Sequence, residues 1–166
     1  MPHASPTGTE GNDGNFDEFF SRYARELAAV IALAIGDVSA AEDAVQEAMT
    51  RAFEDWKRVS QMARPDIWVL RVARRKAIDA WRQRSREGAL SSEAPAPSAP
   101  DALQRLWVRW GLERLTPDDR MLVILRHRDN LSVDEIGAAL RKRPNTVAVA
   151  LKRARRRLRN ILKETD

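Results

Sequence analysis

The chain reads as an all-α protein, two small helical bundles joined by a flexible linker. Three observations predict this. Apolar residues recur every three to four positions through both halves, nothing alternates with period two, and a Pro-rich stretch divides the halves. That stretch, Ser91-Ser-Glu-Ala-Pro-Ala-Pro-Ser-Ala-Pro100, suits an extended tether.

Met1 to Asn15 is polar and Gly-rich with almost nothing to bury, so residues 1–15 are expected to be disordered. The same stretch lacks the apolar centre of a signal peptide. An apolar stripe then begins with Phe16, Phe19, Phe20, Tyr23, Leu27, Val30, Ile31 and Ala34, and Gly36-Asp37 ends that helix. A second helix is predicted from about Ala40 to Trp56. Its apolar face is Ala41, Ala44, Val45, Ala48, Met49, Ala52, Phe53 and Trp56; a turn of about 100° per residue puts Asp43, Gln46, Glu47 and Glu54 opposite. Lys57 to Pro65 reads as a loop, with Pro65 suited to open the next helix. That third helix, about Asp66 to Ser85, interleaves Val69, Leu70, Ala73, Ala77 and Trp81 with Arg71, Arg74, Arg75, Lys76 and Arg82. Trp68 and Trp81 fit a core better than a base-stacking platform.

The second bundle opens with Leu103, Leu106, Trp107 and Trp110. Thr116-Pro-Asp-Asp119 is a helix start: a cap, a proline just inside, then acids at the positive end. Met121, Leu122 and Leu125 follow. Ser132-Val-Asp-Glu135 is a capping box for a further short helix to Leu140. The last helix is expected from near Arg143, with Pro144 at its first position and Val147, Leu151, Ala154, Leu158 and Ile161/Leu162 facing inward.

Charge is distributed unevenly. Residues 1–63 carry 11 acids and 5 bases, residues 64–86 carry 8 bases and 2 acids, and residues 101–166 carry 16 bases and 9 acids. Two cationic blocks behind an acidic one suggest two polyanion contacts and a different partner for the acidic part. Ten of the bases lie between Arg141 and Lys163, with no acid among them. A short capped helix, a tight turn and a basic helix form the outline of a helix-turn-helix DNA reader. In such a reader Asn145, Thr146, Ala148, Val149 and Lys152 face base edges, while Arg153, Arg155, Arg156, Arg157 and Arg159 suit phosphate. A basic surface helix of an RNA-binding protein is the competing reading, and the capped helix-turn-helix spacing disfavours it.

Other classes are disfavoured too. The two histidines, His3 and His127, have no nucleophile or carboxylate partner at a recognisable spacing, and no Gly-rich phosphate loop is present. Asp118/Asp119 and Asp134/Glu135 are better explained as helix-start charges than as acid/base pairs. No enzyme, metal or cofactor is expected. Without cysteine there is no thiolate metal site, and no apolar run is long enough for a membrane span, so a cytoplasmic protein is expected.

Leu112-Glu-Arg-Leu-Thr-Pro-Asp-Asp-Arg-Met-Leu-Val-Ile-Leu-Arg126, Leu131-Ser-Val-Asp-Glu-Ile-Gly-Ala-Ala-Leu140, Asn145-Thr-Val and Leu151-Lys-Arg-Ala-Arg-Arg-Arg-Leu158 together resemble region 4 of bacterial RNA polymerase sigma factors, in particular the extracytoplasmic-function group. The resemblance implies that this module binds the −35 promoter element and docks on the flap of the polymerase β subunit, with Arg143, Asn145, Thr146, Ala148, Val149, Lys152, Arg153 and Arg156 at the DNA. Ala40-Ala-Glu-Asp-Ala-Val-Gln-Glu-Ala-Met-Thr-Arg-Ala-Phe53 resembles region 2.2, whose acidic helix seats on the β′ clamp helices of core RNA polymerase. By position, Asp43, Gln46 and Glu47 carry that contact. Pro65 to Arg84 resembles region 2.4, which reads the −10 element, and implies DNA contacts from Arg64, Arg71, Arg74, Arg75, Asp79 and Arg82. The preceding loop corresponds to region 2.3, where Gln61 and Met62 are the candidates for a flipped-base pocket.

Some positions depart from the family pattern. Arg141 stands where glycine is usual at the turn, Ala148-Val149-Ala150 replaces small polar and basic residues, Arg75 replaces a frequent asparagine, and the Trp56 to Trp68 spacing is short. The implied organisation is a disordered start at 1–15, region 2 at 16–86, a linker at 87–101 and region 4 at 102–166. The implied function is a promoter-specificity subunit whose partners are core RNA polymerase and promoter DNA, and the resemblance admits an anti-sigma protein as regulator. A stand-alone repressor or response regulator is the alternative; it would bind duplex DNA unaided, and a response regulator would need a domain built on strands.

Overall fold

The computed structural model describes residues 10–88, 111–127 and 129–163. Among them lie the α-helices α1 (Glu10–Ile35), α2 (Val38–Glu54), α3 (Trp56–Val59), α4 (Pro65–Glu87), α5 (Pro117–His127), α6 (Val133–Leu140) and α7 (Pro144–Lys163); residues 111–113 are helical as well. The all-helical expectation therefore holds. One boundary differs: residues 10–15, expected to be disordered, already belong to α1. The linker from residue 89 onward and the cluster Leu103, Leu106, Trp107 and Trp110 lie outside the described residues.

Local chemistry sets the helix ends. Gly36, at φ +72°, closes α1 with its N–H on Ala32 O at 2.8 Å, a left-handed step that glycine makes without steric cost. Asp37 then caps α2, its Oδ1 accepting the Ala40 N–H at 2.7 Å. The predicted loop after α2 contains the single turn α3, which buries Trp56 and Val59. Pro65 occupies the first turn of α4, and left-handed Gly88 ends it. Thr116 Oγ1 accepts the Asp119 N–H at 3.2 Å, and Ser132 and Glu135 form the reciprocal capping box of α6.

Among the described residues the buried apolar side chains form one continuous cluster that both bundles share. It runs from Leu27, Val30 and Ile31 of α1, through Val45 and Met49 of α2 and Val69 and Leu70 of α4, to Leu122 and Leu125 of α5, Ile136 of α6 and Val147 and Leu151 of α7. Small residues on α2, Ala41, Ala44, Ala48 and Ala52, let α1 and α4 approach closely. Each large side chain so buried contributes about 1.5–3 kcal/mol, so the shared core outweighs the surface ion pairs around it. Trp68 and Trp81 pack against this core but stay half-buried. The two bundles thus lie against each other, with α5 on α1 and α6 beside α4.

Candidate nucleic-acid interface

The last helix divides cleanly by face. Val147, Leu151 and Ala154 are fully buried, whereas Asn145, Thr146, Ala148, Val149, Lys152, Arg153 and Arg156 are all exposed, as is Arg143 just before the helix. Asn145, Val149, Lys152 and Arg156 recur at spacings of three and four and so form the outermost stripe. The helix is anchored by a tight turn. A Cβ on Gly137 would sit 2.8 Å from Lys142 O, so only glycine lets α6 meet the chain entering α7 so closely. Arg141 takes the left-handed conformation, φ +51°, that the turn demands.

One residue of this module escaped the sequence analysis. Asp119, expected to be a simple helix-start charge, is 3% exposed. Its carboxylate accepts from Arg153 at 3.2 Å and Arg157 at 3.3 Å, so it holds the flank of α7 against α5. The signal was present: Leu115 just before α5 and Leu122 within it are buried at helical spacing from Asp119, where a solvated acid does not belong. Arg120 is buried as well, donating to Leu115 O at 3.1 Å and Glu113 O at 3.2 Å. Burial lowers its pKa, but a guanidinium stays charged.

The six residues expected at the −10 element split into two groups. Arg75, Asp79 and Arg82 are exposed, with Arg82 3.7 Å from Asp79. The other three face the second bundle. Arg74 is ion-paired with Asp118 at the start of α5. Arg64, at the entry to α4, pairs with Asp66 at 2.7 Å and lies 3.7 Å from Glu135 at the start of α6. Its pKa is raised, first by the hydrogen bond to Asp66. Arg71 is half-buried; desolvation and then the nearby Arg141 lower its pKa. The residues expected at one DNA surface are therefore partly covered by the module expected at the other.

On α2, Asp43 and Gln46 are exposed, while Glu47 is half-buried and paired with Arg51 at 2.7 Å and with Lys76 of α4. All three lie on the face away from the apolar residues of that helix. Gln61 is exposed and Met62 half-buried after α3.

Two family models match this architecture: Sigma-70 region 2 over residues 19–87 and Sigma-70, region 4 over residues 108–158. The RNA polymerase sigma-E factor of Streptomyces avermitilis is 31% identical over 130 residues, spanning 76% of this chain and 73% of that protein. The chain belongs to the sigma-70 family of RNA polymerase sigma factors. The ECF RNA polymerase sigma factor SigL of Mycobacterium tuberculosis is 32% identical over 138 residues, 78% of each chain. The sigma factor CarQ of Myxococcus xanthus is 26% identical over 164 residues, 95% of this chain and 94% of that one. In fold, this sigma factor matches the sigma factor RpoE of Bartonella quintana, solved in complex with the anti-sigma factor NepR, with a TM-score of 0.76 at 22% identity over 90% of this chain and 97% of that one. It acts with RNA polymerase in promoter-specific transcription initiation. Members of the family are in general non-enzymatic regulators, and they work with polymerase in the cytoplasm.

Proposed function

We propose that this sigma factor seats on the β′ clamp helices through Asp43, Gln46 and Glu47, and reads two promoter elements from separate modules. Region 2, residues 16–86, takes the −10 element with Arg64, Arg71, Arg74, Arg75, Asp79 and Arg82. Region 4, residues 102–166, takes the −35 element with Arg143, Asn145, Thr146, Ala148, Val149, Lys152, Arg153 and Arg156, and docks on the β flap. The linker, residues 87–101, joins them. The chain is a cytoplasmic, non-catalytic subunit. The Bartonella quintana protein forms a complex with an anti-sigma factor, and this chain is open to a regulator of that class.

The observation that carries the reading is the outward face of α7, polar and cationic apart from Ala148 and Val149, along a helix whose other face is apolar. Such a helix offers base-edge contacts at its front and phosphate contacts along its flank. Its charge asymmetry is also what a shared-polymerase mechanism needs: the acidic α2 edge is turned toward protein, the basic helices toward DNA. Placed about two helical turns apart on DNA, the modules cannot keep the packing described above. Beyond α4 and its cap, the 12 residues from Ala89 to Pro100 extend at most about 40 Å, enough to let them part. Joint engagement then raises the effective concentration of each weak contact.

The test is charge reversal. D43K/E47K is expected to lose association with core polymerase in a pull-down and to lose initiation at the cognate promoter. Undiminished association and initiation would overturn the reading. Gel shift with and without core enzyme separates it from a repressor, which binds duplex specifically on its own.

A further inference from the structure

We infer that Val149 reads the 5-methyl group of a thymine in the −35 element. The inference deepens the proposed function and rests on its placement of α7 in the major groove. Among the described residues three large hydrophobic side chains are exposed, Leu33, Phe53 and Val149; Val149 is the most exposed, at 60%, and the only one of the three in the second bundle. Every other aliphatic side chain described from Val147 to Ala154 except Ala148 is turned into the core. The apolar packing of α7 therefore does not account for it.

Its neighbours specify the setting. Asn145 lies one turn before it and Lys152 and Arg153 one turn after, all exposed, with Arg156 a turn further on. A stripe with hydrogen-bonding groups at both ends and one branched aliphatic side chain between them suits a row of base edges in which the middle one is apolar. Asparagine pairs with adenine and lysine with guanine, but valine has no hydrogen-bonding group to offer. Against the edge of guanine, adenine or cytosine it would strip water from a donor or acceptor and return nothing, which is unfavourable. The thymine methyl is the one apolar group that a base pair presents in the major groove. Val149 thus favours thymine by contact and disfavours the other bases by desolvation, two terms of the same sign.

The experiment uses holoenzyme and a promoter found by mapping transcript starts in cells overproducing the chain. Each thymine of the −35 element, on either strand, is replaced singly by deoxyuridine, which lacks only the methyl. One position is expected to lose about fourfold in affinity, the worth of one buried methyl-sized group. V149A is expected to lose a similar factor on the natural promoter and nothing further on the deoxyuridine one. Alanine is the better helix former at this exposed site, so the fold is retained. Scrambling the whole −35 element is the control. If scrambling leaves binding unchanged, the −35 reading itself fails. If scrambling abolishes binding while every deoxyuridine is tolerated, or V149A weakens both promoters further alike, the thymine inference is overturned and the −35 reading stands. The second of those outcomes would move Val149 to a protein contact.

Discussion

Arg141 holds a backbone conformation that glycine adopts freely and arginine does not. The left-handed conformation costs an L-residue about 1–2 kcal/mol, partly offset because glycine would give the unfolded chain more freedom. R141G is therefore expected to stabilise the protein by about 0.5–1 kcal/mol, raising the melting temperature by roughly 1–4 °C. It also removes the like charge beside Arg71, the smaller of the two causes that lower the Arg71 pKa. Asp119 is the opposite case, a buried carboxylate with two partners. D119N leaves Arg153 and Arg157 without their shared anion and leaves a buried amide poorly matched. Both arginine side chains are 52% exposed, so water compensates in part. The expected loss is about 1–3 kcal/mol, read from the urea midpoint. A midpoint equal to that of the unmutated protein would mean that the carboxylate does not organise the flank of α7.

At the level of elements, the helix-turn-helix depends on close approach and on one cap. G137A would force a methyl to 2.8 Å from the Lys142 carbonyl, and the atom it meets is backbone and cannot swing away. About 1–3 kcal/mol of stability should be lost, together with binding to the −35 element, measurable by denaturation and by holoenzyme footprinting. Glu135 makes the capping box pH-sensitive. Hydrogen bonds from the Ser132 backbone lead the causes that hold its pKa below the ordinary 4.5. A carboxyl depressed in the folded state adds stability above its unfolded value, and that stability is lost as pH falls through the folded one. The difference in melting temperature between the unmutated protein and E135Q should be fully present above pH 4.5 and should shrink as pH falls below 4.5 through the depressed folded-state value. Much of this was legible in the sequence because it is local. Ser132-Val-Asp-Glu135, Pro144 and Gly36 lie within a few residues of the groups they act on, and the inward and outward positions of α7 follow from helical period alone. Two features were not so easily read. The turn α3 is held by burial of Trp56 and Val59 rather than by its own propensity, and Asp119 meets partners 34 and 38 residues away.

The whole molecule adds the arrangement that no local pattern encodes, a second bundle lying across part of the −10 surface. Arg74 and Asp118 are 44 residues apart, on either side of the linker, and nothing in either segment names the other. The ion pairs are also the weaker part of this contact. Arg64 with Glu135 is an exposed surface pair at 3.7 Å that water and salt screen, whereas the apolar contact brings Leu27, Val30 and Leu70 toward Leu125 and Leu131. That contact is incomplete. The same residues line a cleft of about 430 Å³ between α1, α4 and α5, so separation gives up less burial than opening a close-packed core would. A partner that binds only the parted modules needs to outcompete this packing, and polymerase with promoter is proposed to do so from two sites at once. The chain contains no cysteine, so T50C on α2 and N160C on α7 give one specific label pair at exposed positions outside the proposed contacts. Inter-label distances in the free chain should form one short population. Addition of core polymerase should shift it to a long one, and D118N/E135Q should raise the long fraction of the free chain only a few-fold, because the apolar contact remains. A distance unchanged by polymerase would mean that the modules address DNA without parting. A fully opened D118N/E135Q chain would mean that charge, rather than buried leucine, holds them together.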